Sequence, residues 1–136
     1  YMYSWVKTPG VVNIFSRDLT WVTEEIKHHL FSRGSDISIC AEKDTPLTKE
    51  LASHGVKIYL YGDWGYAPQS RFTMSRANKP DRQIAIAKST KQNKKIRHEI
   101  YETTDNFTDE WLKTISRDLF EIVKAINTSH LKGSSV

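Results

Sequence analysis

Apolar positions along this chain recur with the two spacings that backbone geometry allows, about 3.6 residues for a helix and 2 for a strand, and the two alternate. Leu19, Val22, Ile26 and Leu30 share one helical face, so a helix is expected to start from a cap at Ser16 or Asp18 and run to about Phe31. Glu24 and Glu25 lie early in it, Lys27, His28, His29 and Arg33 lie late, and Gly34 follows as a stop, an order that complements the helix dipole. Residues 36–41, DISICA, read as a strand. Thr45 or Asp44 then caps a short helix that opens on Pro46, buries Leu47 and Leu51 and ends at Gly55. Residues 56–61, VKIYLY, form the next strand, and the order helix, strand, helix, strand predicts parallel pairing through a crossover.

Beyond this unit the period of two takes over. Phe72 and Met74, then Ile84 and Ile86, alternate with small or polar residues, so residues 68–88 are expected to form a hairpin around a polar turn at 77–82 containing Asn78, Pro80 and Asp81. Residues 88–95 are polar and expected to be a flexible loop. Residues 96–103 read as a further strand with Ile96, His98 and Ile100 on one side, His98 as a half-buried histidine. The final helix is assigned a Thr108 cap, Asp109 and Glu110 in its first turn, a Phe107–Leu112 staple and a buried stripe of Leu112, Ile115, Leu119, Ile122, Val123 and Ile126. The sequons at Asn106 and Asn127 read as helix punctuation. Pro9-Gly10 marks a turn after Trp5 and Val6, so the expected organisation is a linker or N-terminal strand at 1–10, one domain at 11–127 and a frayed tail at 128–136.

Composition narrows the class. The 136 residues carry 38% hydrophobic and 26% charged side chains with a mean hydropathy of −0.55, as expected of a soluble globular domain. The chain opens on Tyr1 without a charged-then-apolar leader, so a cytoplasmic location and a preceding segment are expected. Cys40 alone cannot form an internal bridge, which excludes a disulfide-built scaffold. Charge is uneven: nine basic residues between Arg71 and His98 against Asp81 give that segment +8, leaving −4 elsewhere in a chain of net charge +4. Such a segment suits DNA or another anionic partner, or a solvated loop. His28 and His29 are adjacent and lack a further ligand three or four residues away, so no metal is expected, and no cofactor-binding motif appears. Loop 62–68 follows a strand, where α/β sheets commonly bind ligands, so Trp64 and Tyr66 are candidate rim residues; they are equally suited to covering the core.

The run IKHHL, ISICAE, PLTKEL, GVKIYLY, RFTMS, IAIA and DEWLKTISRDLFEIVKAI resembles one half of the phospholipase D fold, a mixed β-sheet flanked by α-helices. In that superfamily a strand matching QSRFTMSR carries a nucleophilic His, a phosphate-neutralising Lys and a following Asp. Here those positions are Gln69, Arg71 and Arg76. An amide cannot form a phospho-enzyme, so the resemblance implies recognition without catalysis. Over almost the whole chain the pattern is similar to the effector domain of TrmB-type archaeal transcriptional regulators, which follows a DNA-binding winged helix. The resemblance implies a homodimeric, ligand-sensing domain with a small-molecule or anionic effector, contact with DNA through an upstream domain and no membrane association. Gln69, Arg71, Arg82, Trp64 and Tyr66 are the candidate ligand-binding residues. The competing readings are a phosphodiesterase or nuclease of the phospholipase D superfamily and a nucleic-acid-binding module using the basic segment.

Overall fold

The computed structural model describes residues 2–64, 71–92 and 95–134. Among them are six strands: β1 (Val12–Phe15), β2 (Ile37–Ala41), β3 (Lys57–Leu60), β4 (Arg71–Ser75), β5 (Gln83–Gln92) and β6 (Lys95–Glu102). They form one mixed sheet in the order β3-β2-β1-β4-β5-β6. β1, β2 and β3 run parallel, whereas each of the contacts β1–β4, β4–β5 and β5–β6 is antiparallel. The sheet therefore changes character at β1. Its helices are α1 (Met2–Val6), α2 (Glu24–Arg33), α3 (Pro46–Ser53) and α4 (Phe107–Ser134), and the architecture is α/β.

Local chemistry accounts for the bounds. Thr45 caps α3 by accepting from the Thr48 amide at 3.2 Å while the Thr48 hydroxyl accepts from the Thr45 amide at 2.8 Å, a reciprocal capping box followed by Pro46. Helix α2 starts later than its apolar spacing predicts. Thr23 is its cap, accepting from the Ile26 amide at 3.2 Å, and Ser16 and Asp18 organise a turn instead. Leu19, Trp21 and Val22 pack against the core from that loop, so their spacing imitated a helix that is absent. Residues 2–6, expected as a strand or packed linker, are helical, and Val6 is fully buried. Arg33 fastens this segment by donating to the carbonyls of Val6 and Thr8, both at 2.7 Å, and of Gly10.

Two apolar layers enclose the sheet. Val12 and Ile14 of β1 join Ile37 and Ile39 of β2 against Val6, Ile26, Leu30 and Leu51 on the α1–α3 side. Phe15, Cys40, Tyr61, Phe72, Met74 and Ile84 meet Phe120 and Val123 of α4 on the other. Cys40 is completely buried there, and desolvation pushes its thiol up, with Glu121 adding to the effect. The expected hairpin is present, with Phe72 opposite Ile86 and Met74 opposite Ile84. The expected loop at 88–95 is not: β5 continues to Gln92 and β6 begins at Lys95, with Lys88 opposite Glu99. Ladder pairing outweighs the weak strand propensity of lysine and glutamine.

Helix α4 departs furthest from its predicted pattern. Its cap is Asn106, not Thr108: the Asn106 Oδ1 accepts from the Asp109 amide at 2.8 Å. Its inward face carries Asp109, Lys113, Ser116, Phe120 and Val123, while Ile115, Ile122 and Ile126 of the expected stripe are exposed. Asn127 ties α4 to strand β3, accepting from the Leu60 amide at 3.1 Å and donating to the Leu60 carbonyl at 2.8 Å. Backbone groups of the sheet's outer strand are thereby satisfied by a side chain.

At the start of α4, the buried Asp109 carboxylate accepts from the Thr104 amide (2.6 Å), the Thr104 hydroxyl (2.8 Å) and the Tyr101 hydroxyl (2.8 Å). These bonds, led by the Thr104 amide, hold its carboxyl below the ordinary carboxylate value of 3.8, and Lys113 reinforces them. A depressed folded value makes this stabilisation complete above the unfolded value and lost as pH falls through the folded one. Asp109→Asn is therefore expected to melt at a lower temperature than the unsubstituted protein at neutral pH, with the gap narrowing below about pH 4. Melting curves of both proteins between neutral and acidic pH measure this, and a gap that stays constant would refute the assignment.

Candidate ligand-binding cleft

Strand β1 ends at Phe15, and the chain turns immediately through residues 16–22. Several short-range bonds fix this turn. The Ser16 hydroxyl donates to the Asp18 carbonyl, and Asp18 Oδ1 accepts from the Thr20 amide at 3.2 Å and the Thr20 hydroxyl at 2.8 Å. Trp21 donates from Nε1 to the Ser16 hydroxyl at 3.2 Å, which sets the plane of its indole. From below, Tyr61 stacks on Phe15 at 5.2 Å and donates its hydroxyl to the Ser16 carbonyl at 2.8 Å. Burial pushes the Tyr61 phenol up to about 12, with Glu42 adding to the effect. Tyr61 is thus a protonated donor at neutral pH.

Between this turn and the antiparallel half of the sheet lies a cleft of about 450 Å³. Thr73 of β4 and Ala85 and Ala87 of β5 line its sheet side with small side chains, and Met2, Trp21 and Ile100 add apolar surface. The small side chains of Thr73, Ala85 and Ala87 on this sheet face leave the space. The cleft lies at the carboxyl end of β1, beside the change from parallel to antiparallel pairing, a usual place for a ligand in an open α/β sheet.

Among the described residues, two charged side chains reach this space. Arg71, the first residue of β4, is half-buried, and among the described residues its guanidinium has neither a hydrogen bond nor an ion pair. Asp18 is the other. Its carboxyl is held below the ordinary value chiefly by the Thr20 hydroxyl and amide, with Arg71 and then Arg17 adding attraction. Arg17 is itself engaged, with Nε 3.0 Å from Glu42 Oε2, and belongs to a neighbouring hollow of about 310 Å³ that shares Asp18.

Of the five residues proposed from sequence, Arg71 lines this cleft. Arg82 is elsewhere. Arg71 pairs with Ala87 while Gln83 pairs with Ser75, so Arg82 lies at the opposite end of the hairpin, five residues from Ala87 or about 17 Å at strand rise. Among the described residues its buried Nε has no hydrogen-bond partner. Tyr66 and Gln69 fall outside the described residues, as does the side chain of Trp64, the last residue of a 3₁₀ turn at Gly62–Trp64. Arg76 is paired with Asp81 at 2.9 Å beside the hairpin turn. Asp18, Thr20 and Trp21 were missed because they were read as the start of a helix. The signal available was Asp-x-Thr after a short apolar run, an Asx turn at a strand end.

Other candidate chemistry does not converge. His28 meets the Phe31 ring edge-on at 6.1 Å, and His54 stacks on its face at 3.7 Å. Among the described residues no group of three or more His, Cys, Asp or Glu side chains is placed to hold a metal ion. Among them, too, no helix is long and apolar enough to cross a membrane. Comparison with protein-family models, with curated proteins and with solved structures gives no match.

Proposed function

We propose that this chain is the regulatory domain of a TrmB-type transcriptional regulator, built on one half of the phospholipase D fold. It senses a small or anionic effector, forms a homodimer and leaves DNA contact to a winged helix upstream, in the cytoplasm. Arg71 carries this reading: a half-buried guanidinium, with neither a hydrogen bond nor an ion pair among the described residues, lines a cleft at the end of β1, at the position where the resemblance places a phosphate-binding lysine. The nucleophile position is Gln69, whose amide forms no phospho-enzyme, so the site recognises and does not cleave.

Dimerisation draws support from α4. Trp111, Ile115, Ile122 and Ile126 form an apolar ridge on its outer side, and Ile115 is 63% exposed. The spacing is self-complementary. A second copy of the helix running antiparallel would set Trp111 against Ile126 and Ile115 against Ile122, so one ridge meets itself as a two-fold interface requires. An effector that binds one arrangement of the dimer more tightly would then shift the spacing of the two DNA-binding arms, with a coupling typically of about 1–3 kcal/mol.

Sedimentation equilibrium tests this. The protein is expected to be dimeric, and Ile115→Asp with Ile122→Asp to weaken the dimer at least about tenfold without loss of helix content, since both side chains lie outside the core. A monomer at every concentration would remove dimerisation from the proposal.

A further inference from the structure

We infer that the cleft between Arg71 and Asp18 takes a zwitterionic amino carboxylate with a compact apolar side chain, the carboxylate on Arg71 and the ammonium at Asp18. This rests on the regulatory reading for its biological use, but its chemistry stands on the cleft alone.

The charges make the first argument. Arg71 and Asp18 line the same space and no ion pair joins them, so among the described residues neither has a counter-charge within contact distance. They are nevertheless close enough for Arg71 to help hold the Asp18 carboxyl ionised. A ligand carrying both signs satisfies both ends. A phosphate or dicarboxylate would meet Asp18 with like charge, and a neutral polyol would leave both groups without a counter-charge. Asp18 is also half committed in a useful way. Its Oδ1 is occupied by the Thr20 amide and hydroxyl, which aims the carboxylate and leaves Oδ2 for a donor.

The apolar surroundings make the second. Trp21, held by Ser16, lines the cleft together with Ala85, Ala87 and Ile100, the last beside Ala87 on the same face of the sheet, giving an aliphatic or aromatic side chain a surface to pack on. A cleft of about 450 Å³ falls at the small end of ligand pockets, which run from about 300 to 1,000 Å³. That size suits a single amino acid.

The test is calorimetric titration of the full chain with L-phenylalanine, L-leucine, 3-phenylpropionate and phenethylamine. L-Phenylalanine or L-leucine is expected to bind. Removing the amine or the carboxylate from phenylalanine should weaken binding at least about tenfold. Asp18→Asn keeps an acceptor for Thr20 and hence the turn, and is expected to abolish the preference for phenylalanine over 3-phenylpropionate. Arg71→Gln, at a side chain with no hydrogen bond or ion pair among the described residues, should abolish the preference over phenethylamine. Binding of 3-phenylpropionate as tight as that of phenylalanine, unaffected by Asp18→Asn and lost in Arg71→Gln, would overturn the zwitterion assignment and leave an anion sensor. Binding of none of the four probes overturns the assignment, and phosphate or acetate titrated next then decides whether Arg71 binds an anion at all.

Discussion

Phe15→Ala is expected to lower the unfolding free energy by about 3–5 kcal/mol. Phe15 is the last residue of β1, the strand at which the sheet changes from parallel to antiparallel, and only 1% of it is exposed. Its ring is sandwiched between Tyr61 at 5.2 Å and Phe72 at 5.3 Å, both nearly parallel to it. Alanine would remove two stacking contacts and a full aromatic burial at once. The site has little means of collapsing, because β1 is paired on both edges, with Phe72 directly opposite Phe15 on β4. Urea unfolding monitored by fluorescence should show a lower midpoint at unchanged slope. Phe15→Leu, which retains part of the volume, should cost markedly less. The cleft should suffer with the core, since Tyr61, which hydrogen-bonds the Ser16 carbonyl under the turn, would lose the ring it rests on. A loss below about 1 kcal/mol would show that the three-ring stack contributes little.

The same strand shows where sequence reasoning stops. Residues 37–41, the Thr45-Pro46 helix, residues 57–60 and the Phe72/Ile86 hairpin were legible because each carries its own signal: a cap, a glycine stop or strict alternation. β1 has none of these. All four residues of Val12–Phe15 are buried, so a polar asparagine faces inward and no period of two survives. In α4 the difficulty is reversed. Two apolar faces share one helix, and Val123 of the packed face is interleaved with Ile122 and Ile126 of the outer one, so a single stripe was read where there are two. The cleft was half legible. Arg71 is visible as a lone cation before an alternating strand, but Asp18 acquires meaning only once β1 ends beside it.

The second large effect concerns Lys113, and its size depends on which partner is removed. The lysine lies on the inward face of α4 with 1% of its side chain exposed, and its Nζ is 3.0 Å from Glu110 and 3.5 Å from Asp105. Those carboxylates are 52% and 87% exposed. Replacing Lys113 with methionine leaves two carboxylates that water already solvates, fills the same volume with apolar atoms and spares the desolvation of an ammonium. Lys113→Met is therefore expected to change stability by less than about 1 kcal/mol. The reverse substitution is different. Asp105→Asn with Glu110→Gln keeps hydrogen-bond acceptors but leaves a buried ammonium with Asp109 as its remaining nearby carboxylate, and Asp109 is already committed to Thr104 and Tyr101. A fully buried pair broken in this way costs about 3–5 kcal/mol; exposure of these partners reduces the expected loss to about 2–3 kcal/mol. Urea unfolding of the two variants at neutral pH and moderate salt separates the cases. A Lys113→Met variant less stable than the double variant would mean that the ammonium contributes more through its ion pairs than its burial costs, and that α4 is anchored by charge at this point instead of by the packing of Phe120 and Val123 two to three turns further on.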